Sequence, residues 1–95
     1  MKEIIHKLVF QAIDDYNDIN KENPIKKEYD TNLIGEDTVL DSVGLVGLLI
    51  DIEGLIQDEF GLDFVIMSEK AMSQKNSPFK SVKSLCKYLE QEIKD

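Results

Sequence analysis

Cysteine is scarce in this chain. Cys86 stands alone, so no internal disulfide can form, and a reducing cytoplasm is the expected setting. Histidine is as scarce: His6 has no second histidine to work with, which leaves a Ser-His-acid set unanchored and excludes a Cys/His metal site by count. Positive charge is short too, with 11 Lys+Arg against 19 Asp+Glu and a net charge of −8. Nucleic acids and anionic membrane surfaces both call for a basic face, so neither is an expected partner. There is no run of about 18 apolar residues, so no membrane span is expected. The opening Met1-Lys2-Glu3 turns amphipathic without the apolar block and small-residue cleavage site of a secretory leader, and none is expected. Internal repeats and low-complexity segments are also missing.

What remains is a single domain over residues 1–95, apolar at 42% of positions. Residues 2–20 repeat at helical spacing, with Ile5, Leu8, Val9, Ala12, Tyr16 and Ile19 on one side and Phe10 off it. Asn23-Pro24 breaks the pattern. Residues 21–40 read as a long loop whose Leu33, Ile34, Val39 and Leu40 pin it across the helices. Residues 42–60 give the strongest helix, with a core stripe of Leu45, Leu49, Ile52 and Ile56 flanked by Val46 and Phe60. Asp41-Ser42 supplies its N-cap and Gly61 its end. Leu62, Phe64, Val65 and Ile66 suit a short strand or a connector; the connector reading leads into a short helix at 68–74, capped by Ser68 and ended by Asn76-Ser77-Pro78. Ser81 then caps a last helix with Val82, Leu85, Cys86, Leu89 and Ile93 inward. Three main helices and one short one predict an all-α four-helix bundle with a long loop after the first helix.

Catalysis is hard to build from these residues. His6 reads as a surface residue on the outer side of the first helix, and Cys86 as a small buried hydrophobe on an apolar stripe. Asp15 to Glu22 resemble a calcium loop only faintly, without the glycine at its sixth position or the glutamate at its twelfth. No enzyme activity and no bound metal are expected. Ser42 is different, because it opens the strongest helix straight after the long loop. Its plain reading is an N-cap serine. Its chemical reading is an attachment point, since a helix N-terminus favours a negatively charged phosphodiester.

The run Leu40-Asp41-Ser42-Val43, the apolar helix behind it, Asp58-Glu59-Phe60-Gly61, and the closing Ser81-Val82-Lys83-Ser84-Leu85-Cys86-Lys87-Tyr88-Leu89 together resemble the acyl or peptidyl carrier proteins. The likeness runs over nearly the whole chain. It implies the four-helix carrier fold and a covalent 4′-phosphopantetheine on Ser42, supported by Asp41 and transferred from coenzyme A by a phosphopantetheinyl transferase. An acyl or aminoacyl group would ride on the arm as a thioester, loaded by a ligase and passed to a synthase or transferase. The −8 charge would then speed encounter with basic patches on those partners. Val43 in place of the usual leucine, Gly44 after it, and a stretch to Phe60-Gly61 about one helical turn longer than in the fatty-acid carriers point to a stand-alone carrier outside primary fatty-acid synthesis.

Away from that likeness, Gly44, Gly47, Asp51, Gly54 and Asp58 recur on the side opposite the core stripe. Each helical glycine costs about 1 kcal/mol against alanine. With Val43 and Ile50 this side is the expected partner face, where a partner backbone or the arm comes close. Val46, Leu49, Ile66, Met67 and Met72 are the candidate lining of a cargo pocket, adaptable through its methionines. They serve equally as ordinary core. A monomer is expected, because the arm must visit several enzymes. The competing function is an acidic helical adaptor or inhibitor with the same fold, no arm, and Ser42 only a cap.

Overall fold

The computed structural model describes residues 2–34, 40–66 and 78–93, with Lys2 and Ser42 described by backbone position alone. Three helices stand among them: α1 (Lys2–Ile19), α2 (Ser42–Phe60) and α3 (Val82–Glu92). The described residues contain no strand, so Leu62 to Ile66 form a connector; an isolated bridge joins Asn32 to Ser81. The short helix expected at 68–74 falls outside the described residues.

Helix α1 is the shared neighbour, packing against both α2 and α3. That double duty widens its apolar stripe. Ile5, Val9 and Ala12 are buried as the spacing predicts, and Ile13 joins them. Ile19 departs from the expectation: it is 84% exposed, because it is the last residue of α1 and reaches beyond its neighbours. On α2 the fully buried residues are Leu48, Leu49, Ile52 and Ile56. Leu45 is only partly buried and Val46 is exposed, so the stripe lies further round toward α1 than the sequence spacing suggests. On α3 the predicted Val82, Leu85, Cys86, Leu89 and Ile93 are all buried, together with Tyr88. Among the described residues no polar or charged side chain is buried.

The ends of the helices show why they start where they do. At α3 the first free N–H groups all find acceptors. Ser81 and Ser84 form a reciprocal capping box, with Ser84 N donating to Ser81 Oγ and Ser81 N to Ser84 Oγ. Val82 N donates to the Thr31 carbonyl and Lys83 N to that of Tyr29. The long loop therefore completes the cap of a helix about fifty residues on. Gly61 ends α2 with φ 67, in the left-handed region that favours glycine, and its N–H donates to the Gln57 carbonyl.

The loop is anchored at its other end by one side chain. Asn17 Oδ1 accepts from Ile25 N at 2.7 Å, and Asn17 Nδ2 donates to the Ile25 carbonyl at 2.9 Å. This pair holds the buried Ile25 in the core, with Leu33 and Leu40 further along. Ile34 is exposed rather than pinned, and Val39 lies outside the described residues.

Replacing Asn17 with alanine leaves both Ile25 backbone groups without that partner. Asn17→Ala is expected to lower stability by about 1–3 kcal/mol in urea titration. A loss below about 0.5 kcal/mol, the range of ordinary surface changes, would show that the anchor is incidental.

Candidate functional site

The site is built at the head of α2. Asp41 is the N-cap, in extended conformation, and its Oδ1 accepts from Gly44 N at 2.7 Å. Ser42 is the first residue of the helix, not its cap. Of the two adjacent cap-forming residues, Asp41 is the one at the N-cap position. Leu45 N closes the first turn on the Asp41 carbonyl.

Gly44 leaves room at this start. A Cβ there would lie 3.2 Å from Asp41 Oδ1, 3.2 Å from Leu40 Cδ2 and 3.4 Å from the Tyr16 hydroxyl. Gly47 and Gly54 are different, since a Cβ at either would meet nothing within 4 Å. The five-residue glycine and aspartate side expected from the sequence therefore splits in two. Gly44 and Asp51, both half-buried, and the exposed Gly47 border the seam with α1. Val43, Val46, Ile50, Gly54 and Asp58 are exposed, with Val43 at 79% and Ile50 at 55%.

This outer face is unlike the rest of the chain. From Ser42 to Ile50 there is no charged residue, in a protein of net charge −8. Glu53 at its flank is drawn back and accepts from Ile66 N at 2.8 Å. The seam beside it, between α1 and α2, is a groove of about 330 Å³. Ala12, Tyr16, Ile19, Gly44 and Leu48 line it, and Asp15 and Asp51 stand along it. It opens into a wider mouth of about 660 Å³ next to Asp41, Val43 and Gly44. The Asp51 carboxyl is held above the usual range by burial, then by the negative charge of Asp15 and a hydrogen bond with it.

The cargo-pocket set does not come together as read. Leu49 and Ile66 are fully buried core residues, Val46 is 39% exposed, and Met67 and Met72 lie outside the described residues. Asp15 to Asp18 belong to helix α1, not to a loop, and Asn17 spends its side chain on Ile25.

His6 also differs from its sequence reading. It is half-buried, with Nδ1 2.6 Å from the Tyr29 hydroxyl and Nε2 3.2 Å from Glu90 Oε2. With the proton on Nε2 it donates to Glu90 and accepts from Tyr29. It thereby ties α1 to the loop and to α3. Its partners are 23 and 84 residues away, so no local pattern announces them. Cys86 is buried as expected, and burial together with the Glu90 charge pushes its thiol up to about 12. The shift favours the thiol over the reactive thiolate at neutral pH.

Comparison of the chain with protein-family models, with curated proteins and with solved structures finds no match. No helix among the described residues is long and apolar enough to cross a membrane.

The glycines separate by experiment. Gly47→Ala and Gly54→Ala are each expected to raise stability by about 1 kcal/mol in thermal or urea unfolding. Gly44→Ala is expected to lower it, because the new methyl presses on the capping carboxylate. Equal gains at all three positions would show that the cap does not depend on Gly44.

Proposed function

We propose that the chain is a carrier protein, with Ser42 bearing a 4′-phosphopantetheine arm and an acyl or aminoacyl group delivered on it to partner enzymes. The observation that carries this reading is the division of labour at the head of α2. Asp41 takes the N-cap position and Ser42 stands at the first helical position, and the same residues carry the resemblance to carrier proteins. The full carrier fold, with a fourth short helix at 68–74, belongs to this proposal, as does a cytoplasmic setting.

The residues present fit such an arm. A phosphodiester at Ser42 would stand at the start of a 19-residue helix, where backbone N–H groups and the helix dipole favour negative charge. Asp41 is committed to Gly44 N, so its charge is partly spent inside the helix start. Val43 and Gly44 border an open cavity of about 660 Å³ beside Asp41. The arm's contribution is a thiol that holds the cargo as a thioester; this chain's contribution is to position and present it, not to catalyse.

Delivery needs a surface that partners can meet and leave. The exposed, uncharged Val43, Val46 and Ile50 next to Ser42 suit that role. The partners are a phosphopantetheinyl transferase, a loading ligase and a downstream synthase or transferase. The −8 charge lies outside the first two turns of α2, so it serves long-range steering more than the contact itself.

The test is reconstitution. Apo-protein incubated with coenzyme A and a broad-specificity phosphopantetheinyl transferase is expected to gain the mass of one phosphopantetheine, and Ser42→Ala to gain none. A folded wild type that stays unmodified would overturn the carrier reading and favour the adaptor, with no arm and the exposed α2 face as its binding surface.

A further inference from the structure

Three side chains from three stretches of chain form a line that the carrier reading leaves unused. Tyr29, in the loop, places its hydroxyl 2.6 Å from His6 Nδ1 on α1. His6 Nε2 stands 3.2 Å from Glu90 Oε2 on α3. A hydroxyl, an imidazole and a carboxylate in that order are the parts of an activated nucleophile. The base lies within hydrogen-bond reach of the hydroxyl, and the carboxylate orients the base. With the proton on Nε2, the Nδ1 lone pair faces the phenol and can take its proton.

The phenol is both held and reachable. Its ring meets those of His6 and Phe10 edge-on, each at a centroid distance of 5.1 Å. The Tyr29 carbonyl accepts from Lys83 N at 2.8 Å, which fixes the backbone against α3. Even so Tyr29 is 44% exposed, whereas Tyr88 is buried and Tyr16 half-buried. All three members of the line border one cavity of about 660 Å³. Lys83 and Lys87 border it too, four residues apart on α3 and so on one side of that helix. Their ammonium groups bring positive charge to the cavity in which a carbonyl attacked by the phenol would become an oxyanion. Cys86 is also in the lining, but burial favours its unreactive thiol form.

We propose that Tyr29 is an acyl-acceptor site, at which the phenol attacks an activated acyl ester in this cavity with His6 as its general base. The phenol proton passes to Nδ1 as the bond between Tyr29 Oη and the acyl carbon forms. The bond from that carbon to the leaving oxygen then breaks, and the leaving group departs with the electron pair. The imidazolium, held by Glu90, gives its proton to the leaving group. The products are an aryl ester on Tyr29, the free alcohol or phenol of the donor, and neutral His6. This is a single transfer to the chain itself, without turnover. It uses no residue of the Ser42 site, so it stands or falls apart from the carrier reading.

The experiment treats the full chain with p-nitrophenyl acetate. Peptide mass spectrometry locates the acetyl groups before and after neutral hydroxylamine, which cleaves aryl esters and spares the amides formed on lysine. Tyr29 is expected to carry a hydroxylamine-labile acetyl group ahead of Tyr16 and Tyr88. Tyr29→Phe, which keeps the ring, is expected to lose that label. His6→Gln is expected to slow it about a hundredfold, the low end of general-base assistance. The rate left in His6→Gln should climb steadily with pH, because the phenol must ionise unaided, while the wild-type rate levels off as His6 becomes neutral. Glu90 is a positioning residue. Glu90→Gln keeps an acceptor for Nε2–H but removes the charge that favours the imidazolium. It is expected to slow labelling about threefold, the scale of one partly exposed ion pair, and to move the levelling-off to lower pH.

Circular dichroism confirms that each variant is folded. Acetyl groups confined to lysines would overturn the proposal. So would a Tyr29 label that forms at the wild-type rate in folded His6→Gln. A wild-type rate that climbs with pH without levelling would overturn it as well, and needs no variant.

Discussion

The hydrogen bond from Gly44 N to Asp41 Oδ1 decides where α2 begins, and most of the functional geometry follows from that start. With Asp41 outside the helix and Ser42 as its first residue, the next turns fall into three sectors. Leu48, Leu49, Ile52 and Ile56 enter the core. Gly44 and Asp51 turn toward α1 and edge the groove. Val43, Val46 and Ile50 face outward. A slip of α2 by one residue in register would rotate each sector by about 100° and carry Leu48 out of the core. A Cβ at Gly44 would lie 3.2 Å from the capping oxygen, a tight contact that the glycine avoids.

Helix α1 carries the second constraint. Packed against both α2 and α3, it holds the long loop through Asn17 at one end and through His6 and Tyr29 near the other. The loop then returns two carbonyls to the first turn of α3. The segment leading to Ser42 is thus held by polar contacts as well as by Ile25, Leu33 and Leu40 in the core. This explains how a loop of that length can serve a small domain, in which every element must share one limited core.

The three helices were legible in the sequence because period and caps agree. Ser81 with Ser84, Gly61, and the apolar spacing of α2 each mark a boundary by a physical mechanism. The misses have mechanisms too. Ile13 escapes a stripe drawn for one neighbour, since α1 lies between two and buries a broader face; Leu48 escapes because the α2 stripe is turned from the spacing read off the sequence. Ile19 keeps the period but outruns its neighbours. Asp41 and Ser42 are both good caps, and only the hydrogen bond chooses between them. The His6 contacts with Tyr29 and Glu90 join three separate stretches of chain, which no local pattern encodes. The groove, likewise, exists only once Asp15 and Asp51 come from two helices to one seam.

The central claim is that Ser42, placed first in a helix that another residue caps, is an attachment point. The most direct measurement is peptide-level mass spectrometry of the protein purified from cells that make it naturally, reading the fragment that spans Ser42. The account predicts a phosphopantetheine on Ser42, free or still carrying its acyl group. A fragment found only in unmodified form, from well-folded protein, would contradict it.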